Sequence, residues 1–200
     1  MSNTMKNELN KIVLGSMDFY VVAFTGTVPE DTEIEKDENM IGRTKNGGTL
    51  NYSSTWTTAE SDDGKAKRKK IVSESATISY GVITWNAKTI AKLVATARVS
   101  EASGKRKAKI GGVENDNGTR YLIRGVHKDK VAGDIRITGV GVNTGGWESA
   151  FQPENPTTPQ AQFELEPLLD DEGTLCIYEE EIVTETQSDP STNQEGKEGA

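Results

Sequence analysis

Residues 46–85 read NGGTLNYSSTWTTAESDDGKAKRKKIVSESATISYGVITW. Apolar side chains recur with a period of two along both limbs and share one face: Leu50, Tyr52, Trp56, Val72, Ala76, Ile78, Tyr80 and Val82. Such a period is typical of β-strands with one buried and one solvated face. Asp62-Asp63-Gly64 between the limbs is a turn signal, because glycine readily adopts a positive φ. We therefore predict one long β-hairpin.

The solvated face of this hairpin has an unusual composition. It carries small hydroxyl and amide side chains where lysine and glutamate would be ordinary. The residues that define it are Asn51, Ser53, Thr55, Ser73, Ser75, Thr77 and Ser79. We call this set the hydroxyl face and treat it as a candidate functional surface.

The rest of the chain is β-rich and contains one clear helical pattern. Asn86 can cap the N–H groups of a helix over residues 86–97, whose apolar face comprises Ala87, Ile90, Ala91, Val94 and Ala97. Asn117-Gly118 is predicted to be a tight turn joining two strands. Further strands are predicted at residues 12–24, 107–111, 120–127, 134–142, 161–166 and 174–182.

The chain ends differ in composition from the middle. Residues 1–11 are polar and predict an N-terminal arm, and residues 183–200 predict a disordered acidic tail. Residues 12–182 are then one β domain. Residues 26–42, interrupted by Pro29, are expected to form an acidic loop without regular structure.

Charge is unevenly distributed along the chain. The formal net charge of −8 argues against a protein that binds duplex DNA, which needs a basic face. Glu30–Glu38 holds six acids and one lysine, whereas Lys65–Lys70 holds five bases and no acid. Charge runs are usually solvated surface, but complementary patches on neighbouring copies are the alternative. The candidate contact residues between subunits are Asp62, Asp63, Lys65, Lys67, Arg68, Glu33 and Glu35.

The residues that carry catalysis or bind metals are sparse. His127 is the single histidine and Cys176 the single cysteine, so the sequence predicts no disulfide, metal site, cofactor or catalytic activity. His127 stands at a strand end beside charged residues and is expected at the surface or on a strand edge. The glycine-rich stretches GGVENDNG and GVGVNTGG lack phosphate-loop spacing and predict turns. No apolar run is long enough to predict a membrane span.

Several stretches together resemble the major tail tube proteins of long, non-contractile-tailed phages of Gram-positive bacteria and their prophages. They are NMIGRTKNGGTLNYSSTW, GVITWNAKTIAKLVATARVS, KIGG, TRYLIRGVHKDKVAGDIRITGVGVN and LLDDEGTLCIYEEE. The resemblance covers about residues 11–181 and lies in the order and spacing of elements. The acidic tail goes beyond the pattern.

This resemblance implies a mainly β fold, a β-sandwich or open barrel with one packed α-helix, long loops and flexible terminal arms. It implies hexameric rings that stack into a tube through which genomic DNA passes without specific binding. The implied partners are other copies of the chain and the tape measure, tail terminator and tail tip proteins, with no membrane. The implied location is the virion tail, after assembly in the host cytoplasm. The hydroxyl face would then line the lumen or a subunit contact.

Two alternatives remain open at this point. A secretion-system tube protein would share the fold and carry a different cargo. A β-sandwich binding module for carbohydrates or cell surfaces would use exposed aromatic side chains. Trp56, Trp85 and Trp147 are the candidates for such a stacking platform, although core or interface packing is the commoner role of tryptophan.

Overall fold

The computed structural model describes residues 12–130 and 133–182. The predicted arm at residues 1–11 and the predicted tail at residues 183–200 lie outside the described residues. The strands are β1 (Asp18–Ala23), β2 (Thr44–Glu60), β3 (Lys67–Val82), β4 (Arg98–Ala102), β5 (Lys105–Lys109), β6 (Tyr121–His127), β7 (Ile135–Asn143), β8 (Gln160–Glu166) and β9 (Cys176–Glu180). The helices are α1 (Asp31–Ile34) and α2 (Ala87–Leu93), with 3-10 turns at Asp37–Asn39 and Val113–Asn115.

Seven of the strands form one antiparallel sheet. Its order is β1-β6-β7-β8-β3-β2, and β9 pairs with the first half of β7. β4 and β5 form a separate two-stranded ribbon beside α2. The predicted mainly β fold is confirmed.

The long hairpin is confirmed as β2 and β3. Tyr52 lies opposite Ala76 and Ser53 opposite Ser75, so side chains segregate onto the two faces as the sequence predicts. The register shifts by one residue where Thr55 pairs with Ser73 and Trp56 with Ile71. Val72 is the extra residue of this β-bulge, and the shift brings Ile71 onto the apolar face beside Trp56.

The sheet curls until its two ends meet. The Ile41 amide donates to the Phe19 carbonyl at 3.0 Å, and the Thr44 hydroxyl donates to the Met17 carbonyl at 2.9 Å. The strand at one end of the order therefore contacts the segment that leads into the strand at the other end. The fold is an open barrel with a seam between β1 and residues 40–44.

The inner face of this barrel is filled by aromatic and aliphatic side chains. Phe19 stacks on Tyr80 with ring centroids 4.0 Å apart, and Phe163 lies 6.2 Å beyond Tyr80. Gly48 provides the space for this stack, since a Cβ there would approach the Phe19 ring to 2.3 Å. The remaining buried members of the cluster include Val21, Ile78, Ile123, Ala161 and Leu165.

A second, smaller core lies on the outer face of β1, β6 and β7. Tyr20, Leu122, Val126 and Val140 are buried there beneath Ile34. The prediction of an irregular loop over residues 26–42 is therefore wrong, because that segment folds as α1 and a 3-10 turn. Among its many acids the segment contains Ile34, which is buried in the outer core, and Ile41, which is buried in the main core.

Helix α2 covers the seam and is shorter than predicted. Asn86 is its cap, as expected, and accepts from the amides of Lys88 and Thr89. The helix ends at Leu93, because Val94 has extended backbone angles. Thr89 and Leu93 are its buried residues, and Ala87, Ile90, Ala91 and Val94 are only half-buried, which corrects the predicted apolar face. Contact with backbone carbonyls at the seam decides this orientation, since Thr89 donates to the Ile41 carbonyl.

Three strand predictions need correction. β1 begins at Asp18 instead of residue 12, and residues 12–16 are exposed. β4 was not predicted; it pairs with β5 across a turn at Ser103-Gly104, where both residues have positive φ. Asn117-Gly118 consequently lies in a connection to β6 and joins no hairpin.

Replacing the buried Phe163 tests the aromatic core against a matched exposed residue. We expect Phe163→Ala to lower the free energy of unfolding by about 3–5 kcal/mol through the cavity it leaves. Phe151→Ala removes the same atoms from a side chain that is 79% exposed and should cost no more than about 0.5 kcal/mol. Urea denaturation followed by fluorescence measures both. Equal losses in the two variants would contradict the assigned core.

Candidate assembly surface

The outer part of the hairpin projects beyond the barrel. β8 pairs with β3 only over Thr77–Gly81, so in the described chain β3 has no neighbour but β2 beyond that point. Every side chain from Asn51 to Ser75 is exposed or half-buried. We call residues 51–75 the arm.

The hydroxyl face forms one continuous polar surface along the arm. Ser53 and Ser75 are hydrogen-bonded through their hydroxyls at 2.8 Å. The surface continues onto β8, where Gln162 lies opposite Ser79 and Glu164 opposite Thr77. Because cross-strand partners share a face, the pairs from Thr49–Ser79 to Thr55–Ser73 carry no lysine or arginine, whereas Lys70 opposite Thr57 and Arg68 opposite Ala59 lie on the same face nearer the tip. All seven predicted residues lie on this surface, and five of them are exposed.

The opposite face of the arm exposes large apolar side chains. Tyr52, Trp56 and Val72 are 51%, 56% and 57% exposed. The prediction that this whole face is buried therefore holds for Ala76, Ile78, Tyr80 and Val82 and is wrong for these three. Alternation in the sequence predicts that one face is apolar. How much of that face is buried depends on where β8 stops pairing with β3.

The tip of the arm is an ordered polar turn. The Ser61 amide donates to the Ala66 carbonyl at 2.9 Å, and Gly64 has the positive φ predicted for it. Asp63 accepts from the Ser61 hydroxyl and the Lys65 amide, which lower the pKa of its carboxyl. Lys67 pairs with Glu60 at 3.1 Å, directly across the hairpin. Asp62 and Arg68 make no ion pair among the described residues.

Two acids proposed to meet this basic tip have partners inside their own chain. Glu35 is 15% exposed and accepts from Arg136 at 2.7 Å, a hydrogen bond that raises the pKa of that guanidinium. Glu33 pairs at the surface with Lys36. Within one chain the structure does not bring either acid to the arm tip. Contact across a subunit boundary stays a prediction.

Arg124 and Arg136 organise a partly buried ionic cluster on the outer face of the sheet. The Arg124 side chain is 4% exposed and reaches Asp31 at 2.7 Å and Glu35 at 3.6 Å. Its other amino group lies 4.0 Å from Glu179 in β9. A buried guanidinium is stable only with such partners. The cluster thus fastens α1 and β9 to the barrel.

Sequence reasoning missed this cluster, although a signal was present. Arg124 interrupts the apolar run of β6, and Arg136 that of β7. A charged residue at a buried strand position calls for an acid from elsewhere in the chain. Nothing in the sequence indicates which acid, because Asp31 is separated from Arg124 by 93 residues.

The remaining candidate residues are structural. His127 is buried, which corrects its predicted surface position, because residues 15–16 cover it and its Nδ1 lies 3.0 Å from the Ser16 carbonyl oxygen. Trp85 and Trp147 pack edge to face at 5.0 Å. Burial raises the pKa of the Cys176 thiol. Among the described residues there is no acidic, histidine or cysteine group suited to a metal, and no helix long and apolar enough to cross a membrane.

No family model matches the chain, and no curated protein matches it. Functional inference therefore rests on the surfaces described above and on the resemblance noted in the sequence.

The ionic cluster can be tested with two neighbouring glutamates. Glu35→Gln should lower the free energy of unfolding by about 2 kcal/mol, because it removes the charge that compensates Arg124 and Arg136. Glu33→Gln is the matched control and should change stability little, since surface ion pairs contribute weakly. Urea titrations at low and moderate salt provide the comparison. If Glu33→Gln lowered the free energy of unfolding more than Glu35→Gln did, the ionic cluster would not be the interaction that fastens α1.

Proposed function

We propose that this protein is a structural subunit of a phage tail tube, which self-assembles into stacked rings that conduct genomic DNA. The observation that carries the proposal is the arm, a projecting hairpin with one apolar face and one hydroxyl face. The sequence resemblance to tail tube proteins supports it. Tape measure, terminator and tip proteins are partners under the same proposal.

The apolar face of the arm favours association with another copy. The two-stranded arm has no core of its own, and more than half of the surface is exposed in each of Tyr52, Trp56 and Val72. An isolated two-stranded hairpin is marginal in water, so a partner that covers these side chains would also stabilise the arm. In a closed ring every contact joins two different patches, and an arm that reaches from one subunit onto the next satisfies that requirement.

Open strand edges supply a second route to a ring. In the described chain β2 is paired on one side only, and so is β9. Exposed edges invite further strand pairing, and closing a ring removes them. Bringing edges of successive subunits together would continue the sheet around a channel.

The hydroxyl face suits the wall of a DNA conduit. Lysine and arginine on such a wall would attract phosphates and slow the passage of DNA. The seven residues of the hydroxyl face are uncharged, and lysine and arginine appear on this side of the hairpin only nearer the tip, at Lys70 and Arg68. Where the face continues onto β8 it adds the acid Glu164. Hydroxyl groups keep such a wall hydrated and do not attract the DNA phosphates electrostatically.

Electron microscopy of the concentrated, purified full chain tests the assembly directly. Negative stain should show rings or tubes whose abundance increases with protein concentration. Particles of monomer size at every concentration and ionic strength would overturn the proposal.

Trp56→Ser should weaken assembly without weakening the fold. Burying the exposed half of this side chain is worth roughly 2 kcal/mol per contact, so the concentration needed for assembly should rise about tenfold or more. Val113→Ser is the matched control, because Val113 is 88% exposed and lies outside the arm. Sedimentation velocity reports assembly, and thermal unfolding reports the fold. If the two variants assembled at the same protein concentration, Trp56 would not be part of the interface.

Charge reversal at the arm tip tests its predicted role in subunit contact. Lys67→Glu combined with Arg68→Glu should reduce assembly most strongly at low salt, where electrostatic attraction is least screened. Lys128→Glu combined with Lys130→Glu changes the net charge equally at a distant turn and should leave assembly intact. Unaltered tubes from the tip variant would exclude the charged tip from the contact.

A further inference from the structure

A cavity of about 590 Å³ opens in the connection from β7 to β8. It is lined by residues 151–157, which combine phenylalanine and proline rings with amide, carboxylate and hydroxyl side chains. Its volume falls in the range of about 300–1,000 Å³ that small-molecule sites occupy. We call it the β7–β8 cavity. It lies outside the arm, so the proposed assembly does not use it.

Phe151 presents an aromatic ring to solvent at this cavity. Trp85 and Trp147 pack edge to face and are half-buried against the main core. The Phe151 ring centroid lies 6.3 Å from that of Trp85, and the side chain is nevertheless 79% exposed. The two tryptophans therefore support this ring, and Phe151 is the member of the cluster whose ring is available to a ligand.

Prolines and hydrogen bonds fix the conformation of the connection. Three prolines within residues 153–159 restrict the backbone angle φ. The Thr157 hydroxyl donates to the Ala150 carbonyl at 2.8 Å, and the Trp85 indole donates to the Thr157 carbonyl at 3.3 Å. A site that is already formed loses little conformational entropy when a ligand binds.

The polar side chains of the cavity have hydrogen-bonding groups to spare. The Asn155 Nδ2 donates to the Gln152 Oε1 at 3.3 Å, which aligns the two amides. Among the described residues no hydrogen bond uses the Gln152 Nε2 or the Asn155 Oδ1, and no ion pair uses the Glu154 carboxylate. The cavity thus offers one donor and several acceptors close to an exposed aromatic ring.

This combination matches the chemistry of a sugar. A pyranose ring has an apolar C–H face that stacks on an aromatic ring, and its hydroxyl groups pair with amides and carboxylates. A purely apolar ligand would leave the polar groups of the lining unsatisfied. Residues 144–163 contain two acids and no base, so the connection offers no cation to an anionic ligand.

We propose that the β7–β8 cavity binds an uncharged saccharide. One pyranose ring stacks on Phe151, and its hydroxyl groups donate to Glu154 and Asn155 and accept from Gln152. This site is separate from the arm, and the proposal does not depend on the tube function.

Saturation-transfer difference NMR of the full chain tests the cavity with three neutral tetrasaccharides: chitotetraose, maltotetraose and cellotetraose. We expect saturation of the ring protons of at least one of them, and none of trigalacturonic acid, an anionic control. Glucose and N-acetylglucosamine are measured in parallel. A monosaccharide that binds as tightly as its oligomer indicates a free sugar as the ligand, whereas tighter binding of the oligomer indicates a polysaccharide.

Variants assign the binding to the cavity. Phe151→Ala should raise the Kd of the bound saccharide about tenfold or more through loss of stacking, and Phe151→Tyr, which keeps a ring, should bind as the unaltered chain does. Trp56→Ser removes an exposed ring of the arm and should leave the Kd unchanged. Gln152→Ala with Asn155→Ala should weaken binding, whereas Asn51→Ala, which removes an exposed amide of the arm, should not. Unfolding curves check that each variant folds.

Three results would overturn the inference: no binding of any of the three tetrasaccharides, binding that Phe151→Ala leaves unchanged, or binding that is lost in Trp56→Ser instead. Saccharide binding by a chain that forms no rings would retain this site and remove the tube function. Rings formed by a chain that binds no saccharide would do the reverse.

Discussion

Five residue pairs between β3 and β8, from Thr77 to Gly81, hold the long hairpin in the barrel. Within these five pairs Ile78 and Tyr80 face the aromatic core, and Tyr80 is stacked between Phe19 and Phe163. Beyond Thr77 the same two strands continue, and within the described residues no third strand lies beside them. The hairpin is therefore anchored at its base, and its outer part is available to other molecules.

Anchoring and exposure together give the arm its chemistry. The mainly apolar face of the hairpin, which the pair Ser54–Glu74 interrupts, is core where β8 pairs with β3 and open surface beyond that point. The hydroxyl face needs no cover, since serine and threonine side chains are hydrated by water or pair with each other, as Ser53 and Ser75 do. One hairpin thereby presents an exposed apolar side and a hydroxyl-rich side, and the proposed tube function would use both.

Charge is divided between internal and external uses. Asp31 and Glu35 neutralise the buried Arg124 and Arg136 and fix the acidic segment over the outer core. The bases of the arm tip and of the β4–β5 ribbon are exposed to solvent.

The sequence by itself determined the elements whose causes are local. Alternation in residues 46–85 defined the hairpin and its two faces, Asp62-Asp63-Gly64 defined its turn, and Asn86 defined the start of α2. These follow from the geometry of neighbouring residues and need no distant partner. Only the tertiary structure decided that Trp56 is exposed, that His127 is buried and that Glu35 forms an ion pair with Arg136. Each of these three facts depends on residues that are distant in the sequence. Burial and ion pairing are set by the neighbours that the fold brings to a side chain, and a local sequence pattern does not contain that information.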